Sequence, residues 1–264
     1  MRLPEIERVW IFDFDGTLSD IISDRDAAVL HPLCKTVLLG LVGQRGQTVA
    51  VLSSRRLDDL ALRADVPGLY LGGCSGIIWL TPDGKKHSCE HTFSKQLTAV
   101  RAAVLDRLKT AGRHPGVELE DKQWSLTVHV RNAADDVRQY IHEQLENIAA
   151  AHAIRLFRGP KAIEVQLIPA INKAFGVREF CEGVLGISGH TAVIYAGDDE
   201  NDATAMRWVL DRGGVALTVG SAPLVPGAQV VATPLDLALA VCALYKNRNI
   251  CGHAEAAEHN QGLR

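Results

Sequence analysis

Val9-Trp10-Ile11-Phe12-Asp13-Phe14-Asp15-Gly16-Thr17 is the stretch on which the fold turns. Its first four residues form a continuous apolar run, the pattern of a strand buried on both faces. The run ends at once in two carboxylates with one residue between them. Gly16 then permits a sharp turn, and backbone N–H groups in such a turn can face an anion. One carboxylate can attack phosphorus while the other exchanges a proton with the leaving oxygen and later with water. A calcium loop would continue acidic residues at alternate positions and end on a distal glutamate, and Leu18 and Ser19 break that pattern.

Further runs of the same kind follow. Thr48-Val49-Ala50-Val51-Leu52 ends in Ser53-Ser54-Arg55, and Leu69-Tyr70-Leu71 runs into Gly72-Gly73. Ala192-Val193-Ile194-Tyr195-Ala196 ends at Gly197-Asp198-Asp199, and Val215 to Val219 stops at Gly220. A helical pattern from Ala27 to Leu41 separates the first two runs. Apolar strands alternating with helices predict a Rossmann-like, doubly wound parallel sheet. The polar and acidic residues all fall at the carboxyl ends of the strands, where open α/β sheets bind ligands.

The middle of the chain reads differently. After the turn Thr81-Pro82-Asp83-Gly84, a helix is expected from Ser94, as its cap, to Ala111, and a second from about Ala133 to Ala151. Alternating segments at Val117–Asp121 and Ser125–Arg131, with short strands near Ile154–Phe157 and Ala162–Ile168, predict an antiparallel sheet covered on one face. The expected organisation is core 1–88, an inserted α+β cap domain 89–168, and core 169–264.

Composition narrows the function classes. Twenty-eight basic residues stand against 31 acidic ones, net −3, with a pI near 6.4. That leaves no basic excess to track nucleic acid and no polybasic block for an anionic membrane. Apolar stretches are interrupted well short of the ~18 residues of a bilayer span. Glu5, Glu7 and Arg8 occupy the place of a signal peptide's apolar region, so a cytoplasmic protein is expected. The six cysteines form no C-x-x-C pair, which argues for free thiols. His87 and His91 are four apart with no third ligand near them. The tail from Gly252 to Arg264 is polar and expected to fray. Nothing in these patterns specifies an oligomeric state.

Asp198 and Asp202 form a second acidic cluster, four residues apart, so both can point at one hard cation once a helix begins there. Acids decorating a helix N-terminus are the alternative. Two anionic strand ends in one sheet favour the cation, because facing carboxylates repel. Ser53 can hold a phosphate oxygen or serve as a helix cap. Lys173 is either a solvated surface residue or a counter-charge at the return from the insert.

In this order the motifs resemble the haloacid dehalogenase-like superfamily of aspartate-nucleophile phosphatases. The resemblance implies Asp13 as nucleophile, Asp15 as acid/base, Ser53 as phosphate-binding hydroxyl and Lys173 as neutralising cation. It also implies Mg2+ held by Asp13, the Asp15 carbonyl, Asp198 and Asp202. Gly16, Thr17, Ser54 and Arg55 complete the expected phosphate surroundings. Within the superfamily, Glu120-Asp121-Lys122, Ser125-Leu126 and His129-Val130-Arg131 resemble the E-D-K…S-L…H-Y-R cap segment of trehalose-6-phosphate phosphatases. Glu164-Val165 resembles the E-(V/I)-R-P stretch of that group. Glu120, Lys122, Arg131 and Glu164 are then the residues implied to grip sugar hydroxyls; a solvated strand face is the competing reading.

This chain departs from that pattern in several places. Asn201 replaces a threonine and Ser54 a glycine, Cys74-Ser75-Gly76 stands where S-H-G is common, Gln166-Leu167-Ile168-Pro169 carries no arginine, and Lys161 is displaced by Pro160. The expectation is a Mg2+-dependent phosphomonoesterase acting on a small sugar phosphate, trehalose-6-phosphate first. Glycosyl-phosphoglycerate, sucrose phosphate and a non-catalytic sensor remain as alternatives, and at this length no fused synthase domain is expected.

Overall fold

Arg8–Phe12, strand β1, sits at the centre of an eight-stranded sheet, its last four residues buried. The computed structural model describes residues 6–22, 27–111, 113–159, 162–187 and 191–245. Cys251, the tail from Gly252 and the Pro160-Lys161 pair lie outside them, as does the N-terminal stretch through Glu5. The chain divides into two compact units, Met1–His87 with Lys173–Arg264, and Ser88–Asn172.

In the first unit β1 is flanked by β2 (Gln47–Leu52) and by β10 (Ala192–Gly197), both parallel to it. β3 (Tyr70–Gly73) extends the sheet beyond β2; β11 (Val215–Val219) and β12 (Gln229–Val231) extend it beyond β10, all parallel. β4 (Ile78–Leu80) joins β3 antiparallel, and β5 (Lys86–Ser88) closes the edge. Alternation sends Trp10, Phe12, Val49 and Val51 into one core, with α1 (Pro32–Val42) and α7 (Pro234–Tyr245). Val9, Ile11, Ala50 and Leu52 enter the other, with Val177 of α5 (Lys173–Arg178) and Met206 of α6 (Glu200–Leu210). A short helix α2 (Leu57–Arg63) follows β2. The doubly wound α/β class is thus the observed one.

Two helix starts differ from the expectation. α1 begins at Pro32 and not near Ala27, because proline fits a first helical turn, where no N–H partner is needed. In the second unit α3 spans Glu90–Ala111, so Ser94 lies inside it. Ser88 supplies the start instead, its hydroxyl accepting the Glu90 N–H at 3.2 Å.

The rest of that unit is a four-stranded antiparallel sheet in the order β6 (Glu118–Asp121), β7 (Ser125–His129), β9 (Ala162–Gln166), β8 (Arg155–Arg158). Leu126, Val128, Ile163 and Val165 are buried on one face, with Ile141, Leu145 and Ile148 of α4 (Asp135–His152) buried as well. The opposite face is mostly polar, with Phe157 buried beside Glu164 on it. Among the described residues no helix is long and apolar enough to cross a membrane, and the five described cysteines are thiols, not disulfides.

Candidate active site

Three neighbouring strands, β10, β1 and β2, end side by side, and their following loops carry the chemistry-bearing residues. This is the topological switch point of the sheet, where connections depart in opposite directions. The Asp13 N–H continues the ladder to the Ala196 carbonyl at 2.9 Å. Beyond it the chain turns on a single carbonyl: Phe14 accepts the N–H groups of Leu18 and Ser19, both at 3.0 Å, and the Ser19 hydroxyl at 3.1 Å. Gly16 has φ +79°, and a methyl built there would fall 2.1 Å from Asp198 Oδ2. Only glycine lets the Asp198 carboxylate approach this closely. Thr17, fully buried, turns its hydroxyl toward Asp198 Oδ1 at 3.5 Å.

Lys173 lies at the centre of this group. Its ammonium donates to Asp13 Oδ1 at 2.5 Å, Asp202 Oδ1 at 2.9 Å and the Leu52 carbonyl at 3.2 Å, which uses all three of its protons. Burial works against its charge, but Asp13 and Asp202 outweigh that and hold it protonated well above its ordinary range. Asp202 is fully buried and accepts four hydrogen bonds. Oδ1 takes Lys173 and the Tyr195 hydroxyl at 2.6 Å; Oδ2 takes the N–H groups of Asp198 and Asp199 at 3.0 and 3.1 Å. Gly197 makes room for it, since a methyl there would fall 2.3 Å from Asp202 Cγ. Asp199 caps α6, accepting from the N–H groups of Asn201 and Asp202.

One carboxylate oxygen from each of Asp13, Asp198 and Asp202 lies within 4.8 Å of the others, a set able to hold a metal ion. Asp202 enters it with its acceptor capacity already used, so Asp13 and Asp198 offer the more available oxygens. Burial pushes the Asp198 carboxyl up to about 10, with Asp13, Asp202 and Asp199 adding repulsion. Burial also raises Asp13, to about 7, against the pull of Lys173. Three acids thus crowd one lysine, and Asp198 keeps its proton through neutral pH.

Ser53 directly follows β2 and is buried; its Oγ accepts the Arg55 N–H at 3.1 Å. Two backbone N–H groups hold this loop: Cys74 to the Arg55 carbonyl at 2.7 Å and Ser75 to the Ser53 carbonyl at 2.9 Å. Both donors have left-handed φ, 51° and 56°, a strain common beside functional sites. Ser54 is half-buried beside them. Arg55 was expected next to phosphate. Its buried guanidinium instead grips Asp15 with two prongs, Nε to Oδ2 at 2.7 Å and Nη2 to Oδ1 at 2.6 Å. The third nitrogen reaches Asp59 at 2.6 Å, and Arg63 meets the other oxygen of Asp59 at 2.8 Å.

On the polar face of the second unit Glu120 pairs across strands with Thr127, and Thr127 with Glu164. Glu120 Oε2 is 3.0 Å from His129 Nε2. Lys122 is buried, and its N–H closes the β6–β7 hairpin on the Ser125 carbonyl at 3.0 Å. Arg131 lies past the end of β7 in a turn, half-buried and outside the cross-strand row.

The trehalose-phosphatase family model matches residues 11–232. This chain belongs to that family. A trehalose-phosphate phosphatase of Mycobacterium bovis is 35% identical over 216 residues, 79% of this chain and 52% of the relative. Its Mycobacterium avium counterpart is 35% identical over 207 residues, 77% of this chain and 51% of the relative. The chain therefore spans about half the length of the curated relatives it matches. Among solved structures, the C-terminal domain of the Candida albicans trehalose-6-phosphate phosphatase superposes with TM-score 0.77 at 18% identity, covering 91% of this chain and 92% of that one. A haloacid dehalogenase-like hydrolase from Bacteroides thetaiotaomicron superposes with TM-score 0.63 at 14% identity, over 90% and 99% of the two chains. Both likenesses concern the fold.

Against the family pattern, the asparagine at 201 has a structural use. Its Oδ1 accepts the Lys173 N–H at 3.2 Å, and Thr204 Oγ1 accepts the Ala174 N–H at 3.1 Å, so one helix caps the start of another and sets Lys173 in place. Tyr195 escaped the sequence reading because it sits in an apolar run. A buried tyrosine needs a partner for its hydroxyl, and that was the available signal. The Arg55, Asp59, Arg63 ladder was legible as opposite charges at four-residue spacing.

Proposed function

We propose that this chain is a Mg2+-dependent phosphomonoesterase that hydrolyses trehalose-6-phosphate to trehalose and inorganic phosphate. The observation that carries the reading is the buried cluster of Asp13, Asp198 and Asp202 around Lys173 in a chain of the trehalose-phosphatase family. Asp13 attacks phosphorus, and the bond to the sugar oxygen breaks as Asp15 gives that oxygen a proton. Asp15 then takes a proton from water as it attacks phosphorus, which frees the Asp13 carboxylate and releases phosphate. The two-pronged grip of Arg55 fixes the orientation of Asp15. Ser53, whose oxygen accepts from Arg55, keeps its O–H to donate to a phosphoryl oxygen.

The crowding of carboxylates that raises Asp198 fits a hard cation with oxygen ligands, which would take the place of its proton. Asp13, Asp198 and the Asp15 carbonyl would hold Mg2+, which when bound neutralises charge on the transferring oxygens. Asp202 acts one step back, fixing Lys173 and the Asp198 and Asp199 amides. Gly16 and Thr17 shape the anion site. Glu120, Lys122, Glu164 and Arg131 take the sugar hydroxyls, and a wrong sugar would leave buried polar groups unpaired. A charged sugar phosphate does not cross membranes, so the activity belongs in the cytoplasm.

Phosphate release from a panel of sugar phosphates, before and after chelation, tests the reading. Trehalose-6-phosphate should be the best substrate, EDTA should silence the reaction and Mg2+ restore it. Preference for another sugar phosphate would overturn the substrate, and full activity after chelation the metal.

A further inference from the structure

Three oxygen atoms on the polar face of the second unit are shut off from water without a hydrogen-bond partner: Thr127 Oγ1, Glu164 Oε1 and Gln166 Oε1. Thr127 is 5% exposed and Gln166 1%. They are neighbours by register. Thr127 pairs directly with Glu164, which has Phe157 on its other side, and Gln166 lies two residues further along β9, between Ser125 and Arg155. Paired Cβ atoms stand about 5 Å apart, and residues two along a strand about 7 Å. The three groups therefore fit within the span of one sugar ring. Buried polar atoms without partners are rare in native proteins and call for a ligand or other explanation.

The polarity of the set defines that ligand. A carboxylate and an amide carbonyl accept hydrogen bonds, and a threonine hydroxyl does so as readily as it donates. A phosphate would be repelled by Glu164, and an apolar group would leave all three unpaired. A polyol presents adjacent O–H donors at this spacing. Glu120, by contrast, already has His129 beside it.

We propose that Thr127 and Gln166 are specificity-determining residues of this chain, each hydrogen-bonding a hydroxyl of the substrate's sugar beside Glu164. The proposal rests on the phosphatase reading above. Its test uses Thr127→Val and Gln166→Met, which keep shape and remove the unpaired atom. Each should lower kcat/KM for trehalose-6-phosphate about tenfold, or about 1.4 kcal/mol, while a small aryl phosphate is hydrolysed as before. Because neither atom has a partner within the protein, Tm should hold or rise. In an Asp13→Asn background, calorimetric binding of trehalose-6-phosphate should weaken by the same factor. Unchanged sugar-phosphate kinetics and binding, or equal losses on both substrates with a lowered Tm, would overturn the proposal. Wild-type protein that neither binds nor hydrolyses any sugar phosphate would overturn the phosphatase reading itself, and this proposal with it.

Discussion

Replacing Tyr195 by phenylalanine removes one oxygen from the middle of the buried cluster and nothing else. That oxygen donates to Asp202 Oδ1 at 2.6 Å, and both residues are 0% exposed. Asp202 would keep Lys173 and the two amides but lose one of its four donors. A hydrogen bond to a charged group contributes about 1.5–3 kcal/mol net. For a chain of this size each kcal/mol shifts Tm by about 2–4 °C, so the variant should melt about 3–12 °C lower. Scanning calorimetry in EDTA gives the cleanest comparison, because a bound cation would otherwise mask part of the loss. Turnover should fall only a few-fold, since Lys173 still meets Asp13 and the Leu52 carbonyl. An unchanged Tm would refute the reasoning: Asp202 would then not be an ionised group held by the tyrosine.

Two further perturbations separate the roles of the cluster. Arg55→Lys keeps the charge but loses the two-pronged hold on Asp15. A sugar phosphate, whose alkoxide must be protonated, should lose about 10–100-fold in kcat, and an aryl phosphate with a good leaving group much less; equal losses would remove the orienting role. In EDTA the raised Asp198 and, up to about pH 7, the raised Asp13 keep protons that the unfolded chain has released, so stability should fall as pH rises from about 4 toward 10, by at most about 1.4 kcal/mol per unit for each group. Mg2+ replaces those protons, so the Tm gain it gives should grow with pH; a gain that is flat across the range would contradict a carboxyl held protonated by its neighbours.

The parts of the fold legible in the sequence are those where one physical demand dominates. β1, β2, β10 and β11 are buried on both faces, so each is a plain apolar run, read to within a residue of its bounds. β4, β5 and β12 have three residues each and lie toward the sheet edges, too short to show any period. Ser94 misled as a helix start because Ser88 offers the same hydroxyl six residues earlier, and only the bond to Glu90 decides between them. Asp13, Ser53 and Asp198 were legible because each follows an apolar run. The grip of Arg55 on Asp15, the tyrosine on Asp202 and the unpaired oxygens of Thr127 and Gln166 depend on which strands lie side by side. Local patterns do not contain that information.

The central claim is that Asp13 carries the phosphoryl group during hydrolysis of trehalose-6-phosphate. Rapid acid quench of the Mg2+-loaded protein during turnover, followed by peptide mapping, tests it directly. The account predicts a phosphoryl group on the peptide containing Asp13, formed and lost in step with phosphate release, and none in Asp13→Asn, which should be inactive. Phosphate release without a phosphorylated protein, or with the group on another residue, would contradict it.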